Sequence, residues 1–138
     1  MSDISTTDIA WMREALALAA EADLPFGTVI VKDGAVLARG GNSGKRRGDP
    51  TAHGEMMAIA ECVAAHGAEA LQGATLYTSG EPCPMCMGAI LWSRFWARRL
   101  CRVDRRTEHQ ARADHGALRR DRRADPVPYD RDHRRCPG

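Results

Sequence analysis

The sequence predicts an α/β sandwich. Three observations carry that prediction: a helical period at the start of the chain, an Asp-Gly hairpin between two short apolar strands, and a later strand bracketed by two helices. Two strands, a helix, a strand and a helix, in that order, need a crossover to bring the third strand into the sheet.

In the first helix, Thr6, Thr7 and Asp8 offer N-cap chemistry and the pattern runs to about Ala22. Ile9, Met12, Leu16 and Ala19 recur at the spacing of one apolar face. Leu24-Pro25-Phe26-Gly27 breaks that period, and Thr28-Val29-Ile30-Val31 reads as a strand. Lys32-Asp33-Gly34 supplies the hairpin turn, and Ala35 to Gly40 returns. The segment Gly41 to Pro50 is polar, glycine-rich and basic at Lys45-Arg46-Arg47, which marks a loop. A second helix is expected from His53 to about His66, with Met56, Met57, Ile59, Ala60 and Val63 as its apolar positions. Ala74 to Thr78 is the third strand, Glu81-Pro82 turns it, and a third helix runs from about Pro84 to Arg94. Both later helices begin just after a turn, so their N-termini are expected at one end of the sheet.

At 138 residues the length suits one compact domain. No apolar run approaches the roughly 20 residues of a membrane helix, and no signal peptide opens the chain, so a cytoplasmic protein is expected with no membrane partner. The net charge of +2 is a sum over two unlike pieces. Residues 1–95 hold 7 basic and 11 acidic residues; residues 96–138 hold 13 arginines, no lysine and 7 acidic residues. The second piece has only Leu100, Val103, Leu118 and Val127 as large aliphatics, too few for much of a core.

Chemistry concentrates in two short segments. Thr51-Ala52-His53-Gly54-Glu55 opens the second helix and Glu81-Pro82-Cys83-Pro84-Met85-Cys86 opens the third. One imidazole and two thiolates are ligands suited to zinc. Cys83 and Cys86, three apart at a helix start, can turn both sulfurs to one point, where the helix N-terminus favours thiolates. Three protein ligands leave the fourth tetrahedral position to a water or hydroxide, as in a catalytic site. Glu55, two residues from His53, can then serve as a proton shuttle rather than a ligand. This H-x-E and P-C-x-x-C combination is the signature of the zinc-dependent base deaminases. Cys83-Pro84-Met85-Cys86 alone also suits a thioredoxin-like dithiol, but His53 and Glu55 upstream weigh against it.

The chain resembles the cytidine deaminase superfamily, and most its bacterial guanine deaminase and tRNA adenosine deaminase branches. The resemblance runs from about Ile9 to Phe95. It rests on Pro25-Phe26-Gly27, Asn42, Asp49-Pro50-Thr51-Ala52-His53, Leu76-Tyr77-Thr78 and the run from Glu81 to Ile90. It implies a three-layer α/β/α sandwich with a mixed sheet, one zinc ion per chain held by His53, Cys83 and Cys86, and catalysis by Glu55. It further implies that Asn42 hydrogen-bonds a substrate base, that Phe26 packs against it, and that the backbone at Gly54 reads its carbonyl edge. Gly54 departs from the family's usual alanine, which loosens the first helical turn by about 1 kcal/mol. Pro84 and Trp92 resemble the guanine deaminase pattern, with Trp92 as an aromatic near the base. A free purine base, guanine first, is therefore the expected substrate, with tRNA adenosine or cytosine as alternatives and a homodimer suggested by the family. A different class stays open: an inactive zinc-binding or RNA-binding remnant.

The division implied is a deaminase core at 1–95 and an atypical arginine-rich segment at 96–138, where the family's further strand and helix have no visible pattern. A basic nucleic-acid arm is one reading of that segment; out-of-frame translation beginning near Phe95 to Arg99 is the other. With chosen codons, the stretch His109 to Gly116 read one base later gives Thr-Lys-Leu-Gly-Gln-Ile-Met, an ordinary sequence. Resequencing the DNA separates these readings.

Overall fold

The computed structural model describes residues 5–95 and the backbone of Ala97–Leu100. Helix α1 (Thr6–Glu21) leads into strands β1 (Gly27–Lys32) and β2 (Ala35–Gly41). A single-turn helix α2 (Gly44–Arg47), helix α3 (Gly54–His66), strand β3 (Thr75–Thr78), helix α4 (Pro84–Trp92) and strand β4 (Ala97–Leu100) follow.

The sheet order is β2-β1-β3-β4. The β1–β2 and β1–β3 pairs are antiparallel and β3–β4 is parallel, so the sheet is mixed. The β1–β2 turn carries positive φ at both Asp33 (51°) and Gly34 (75°), the combination that matches the twist of a two-residue hairpin. Helix α3 is the expected crossover, carrying the chain from β2 past β1 to β3.

Alternation along β1 divides the core into two. Val29 and Val31, with Tyr77 of β3, face Ala15 of α1. Ile30, with Leu76 of β3, faces Ala58 and Cys62 of α3 and Ile90 of α4. Helices on both faces of one sheet make the three-layer sandwich that the family resemblance implied.

Several local expectations shift. The N-cap of α1 is Ser5, not one of Thr6, Thr7 or Asp8: Ser5 Oγ accepts from Asp8 N–H while the Asp8 carboxylate accepts from Ser5 N–H, a capping box. The buried stripe of α1 runs through Asp8, Ala15 and Ala19, with Trp11, Met12 and Leu18 beside it, leaving Ile9 and Leu16 exposed. The cause is Gly27: a Cβ there would stand 2.3 Å from Ala15 O and 2.6 Å from Ala19 N, so α1 meets the sheet through its small residues. In α3 the buried positions are likewise small or polar (Gly54, Glu55, Ala58, Cys62), and Val63 is exposed. Gly40 of β2 would bring a Cβ within 2.3 Å of Gly54 O and 2.4 Å of Ala58 N.

Strand β4 stands where the sequence pattern showed none, its Thr75–Ala97 to Thr78–Leu100 register extending the sheet past residue 95. The remainder of the arginine-rich segment, and the reading-frame question attached to it, lies outside the described residues.

Candidate active site

The N-termini of α3 and α4 do meet at one end of the sheet, and both begin on a ligand-bearing residue. His53 is the N-cap of α3 and Cys83 the N-cap of α4. Pro84 at the first helical position fixes the entry of α4, since its missing N–H is one that a helix start leaves without an intrahelical partner. Cys83 Sγ accepts from Cys86 N–H at 3.5 Å, which brings the second thiol round beneath the first.

His53 Nδ1 lies 3.5 Å from Cys83 Sγ and 3.6 Å from Cys86 Sγ, and the three ligand atoms lie within 4.8 Å of one another. A tetrahedral zinc with bonds of about 2.1 Å to nitrogen and 2.3 Å to sulfur needs nitrogen–sulfur edges of roughly 3.6 Å. The donor set fits zinc in chemistry and in spacing. Cys86 is buried and Cys83 half-buried. Burial pushes the Cys86 thiol up, and the neighbouring Glu55 carboxylate and Cys83 push the same way. A bound cation inverts that logic by stabilising the thiolate.

Glu55 occupies the first turn of α3 and is buried. Its Oε1 accepts from Thr78 Oγ1 at 3.2 Å, and Thr78 Oγ1 accepts from Thr28 Oγ1 at 3.3 Å. Neither threonine stood out as a site residue in the sequence. The available signal was a hydroxyl at a core-facing position: Thr28 shares the parity of Ile30, and Thr78 that of Leu76.

The Phe26 carbonyl ties the remaining predicted residues together. It accepts from Asn42 N–H at 2.9 Å and would stand 3.0 Å from a Cβ on Gly54, with Thr28 Oγ1 3.3 Å from the same point. The glycine therefore admits a closer approach of β1 to the first turn of α3 than an alanine would. The Phe26 ring lies against Gly80, 2.8 Å from where a Cβ would sit, on the turn that leads to Cys83. Asn42 is buried, its Oδ1 accepting from Gly44 N–H at 3.1 Å, and Ser43 N–H donates to Ala52 O at 2.9 Å beside His53.

Among the described residues, Trp92 stands apart from this group. It ends α4, six residues beyond Cys86 and therefore about 9 Å along the axis, and is 90% exposed beside Leu91 at 70%. Helix α4 points Cys83 and Cys86 inward at its start and carries Trp92 at its other end.

The pattern of the cytidine and deoxycytidylate deaminase zinc-binding region matches residues 5–101. The chain belongs to this family. A guanine deaminase of Bacillus subtilis (strain 168) is 56% identical over 70 residues, which cover 51% of this chain and 45% of that protein. A tRNA-specific adenosine deaminase of the same organism is 42% identical over 93 residues, covering 64% of this chain and 58% of that one. The chain thus spans about half the length of the curated relatives it matches. The crystal structure of guanine deaminase from Bacillus subtilis superposes with a TM-score of 0.66 at 42% identity, covering 78% of this chain and 69% of that one. The family match reaches residue 101 and so takes in β4. Among the described residues, no helix is long and apolar enough to cross a membrane.

Proposed function

We propose that the chain catalyses zinc-dependent hydrolytic deamination of an aminated purine base, with guanine the favoured substrate. The observation that carries this is the buried carboxylate of Glu55, in the first turn of the helix that His53 caps, together with a nitrogen–sulfur donor set at zinc spacing. His53, Cys83 and Cys86 would hold the metal. When bound, zinc makes water a competent nucleophile near neutral pH.

The chain's own residues do the rest. Glu55 removes a proton from the attacking water, delivers it to a ring nitrogen, and carries a second proton to the departing amine. The balance is one water consumed, one carbonyl formed on the ring and one ammonia released. Asn42 and the Gly54 N–H orient the base, and the Phe26 ring, braced on Gly80, supplies an apolar wall. Burial of Glu55 and Cys86 keeps bulk water from the reacting end.

Guanine is favoured by the 56% identity to a guanine deaminase. The similarity to a tRNA-specific adenosine deaminase favours a second reading, in which Lys45 and Arg47, exposed on α2 next to Asn42, contact RNA phosphates. Cytoplasmic location and a homodimer accompany either reading.

The test uses the purified full chain: zinc per chain by elemental analysis, then ammonia release from guanine, from adenosine-containing anticodon hairpins and from cytosine. Guanine is expected to turn over, and Glu55→Ala to retain zinc while losing turnover by at least about a hundredfold. Turnover of the hairpin alone replaces the guanine reading with the tRNA one. Zinc-loaded protein that releases ammonia from none of the three overturns both and leaves a zinc-binding module without catalysis.

A further inference from the structure

We propose that Thr78, backed by Thr28, is a positioning residue that fixes the Glu55 carboxylate for proton transfer. The inference rests on the reading of Glu55 as proton shuttle and goes beyond it by naming what holds the shuttle in place.

The sheet itself makes the case. Ile30 and Leu76 are register partners, both fully buried, and they face Ala58 and Cys62 of α3. Two residues towards the site, the register partners are Thr28 and Thr78, also fully buried and on the same side of the sheet. An apolar pair gives way to a hydroxyl pair where the first turn of α3 brings Glu55 down onto the sheet. Threonine and valine are similar in volume, so packing alone does not call for two hydroxyls there.

Hydrogen-bond direction explains them. A hydroxyl has one proton to donate. Thr28 Oγ1 donates to Thr78 Oγ1, and Thr78 Oγ1 donates to Glu55 Oε1. Thr28 thus occupies an acceptor site on Thr78 and commits the Thr78 proton to the carboxylate. At 3.2 and 3.3 Å the contacts are longer than the roughly 2.7 Å typical of O–H···O bonds. With Oε1 held from the sheet side, the carboxylate is oriented for its other oxygen to exchange protons with water and base. Without that restraint, the side chain samples other rotamers and the fraction in a reactive pose falls.

The experiment compares Thr78→Val, Thr78→Ser and Thr28→Val in zinc-loaded full-length protein. Thr78→Val is expected to keep one zinc per chain, leave KM within about threefold and lower kcat by about tenfold to a hundredfold, as a small misplacement of a catalytic group does. Thr78→Ser keeps the donor and restores kcat to within about threefold; Thr28→Val, one bond removed, costs less than Thr78→Val. On a Glu55→Gln background, Thr78→Val should lower residual turnover no further and should shift Tm by less than it does in wild type. The proposal is overturned if Thr78→Val retains kcat within twofold, if serine does not rescue, or if the Tm shifts of positions 55 and 78 simply add. Should wild type release no ammonia from any substrate, the functional reading has failed, while the Tm cycle still decides whether Thr78 holds Glu55. If Thr78→Val does not fold, Thr28→Val and Thr78→Ser carry the same comparison.

Discussion

The Tyr77 hydroxyl donates to Asp8 Oδ1 at 2.6 Å, joining the middle of the sheet to the first turn of α1 across 69 positions of sequence. The other oxygen of that carboxylate, Oδ2, is held by the backbone N–H and the hydroxyl of Ser5. One buried carboxylate therefore both caps α1 and pins it to β3. Tyr77→Phe keeps the ring and removes a donor to a charged acceptor, so it should cost about 1.5–3 kcal/mol. Urea unfolding of Tyr77→Phe, Ser5→Ala and the double variant checks this. Because the Ser5 and Tyr77 bonds share Asp8, the two losses should combine by less than their sum.

Glycine tolerance should split sharply between two sites. A Cβ at Gly40 meets Gly54 O at 2.3 Å and Ala58 N at 2.4 Å, both backbone atoms that cannot swing aside. Gly40→Ala therefore has to lift the start of α3, with His53 and Glu55 on it, off β2. We expect a loss of about 3 kcal/mol, the upper end of overpacking costs, or no folded protein at all. Among the described residues, nothing lies within 4 Å of a Cβ added at Gly88, inside α4. Gly88→Ala should stabilise by about 0.4–1 kcal/mol through reduced chain entropy in the unfolded state. Thermal melts of the two variants decide both statements.

These contacts also mark how far the sequence could be read. Hairpin, helices and third strand were legible because turn chemistry and apolar period are local signals, and the zinc-ligating pattern because ligand spacing is fixed by the metal. The inward faces of α1 and α3 were misplaced towards Ile9, Leu16 and Val63. The helices approach the sheet through Gly27 and Gly40, closer than large side chains permit, so small residues line the contact and the larger ones are displaced outward. Strand β4 was hidden because its ladder with β3 is a backbone pairing set by tertiary context, and Arg98 and Arg99 mask any apolar pattern.

Acid should loosen the loop that carries Asn42 to the site. Asp49 Oδ1 accepts from Thr51 N–H at 2.8 Å and Thr51 Oγ1 at 2.7 Å, and these bonds hold its carboxyl below the ordinary value. The Arg46 backbone N–H and guanidinium do the same for Asp23. A carboxyl depressed in the folded state contributes stability above its unfolded pKa of about 3.9. That contribution is lost as pH falls through the lower folded value, because the unfolded chain takes up the proton first. The difference in urea midpoint between wild type and an Asp23→Asn/Asp49→Asn variant should thus narrow as pH is lowered from about 6 to about 3. A difference independent of pH would mean that neither carboxylate's charge supports the loop.

Metal removal should separate ligands from the shuttle. His53, Cys83 and Cys86 are the residues that would supply the donor atoms, whereas Glu55 contacts Thr78 and stands outside the donor set. A ligand that binds only the folded state adds about 2.7 kcal/mol when present at a hundred times its dissociation constant. Stripping zinc from wild type with a chelator should therefore lower Tm by roughly 10 °C, since about 1 kcal/mol moves Tm by roughly 3–5 °C in a domain of this size. Glu55→Gln should show the same chelator-induced drop, since its metal site is intact. His53→Ala, Cys83→Ser and Cys86→Ser should start from the lower Tm and respond little to chelator, because the metal term is already gone. A chelator response that survives in Cys86→Ser, or that disappears in Glu55→Gln, would move the metal away from the His53–Cys83–Cys86 set.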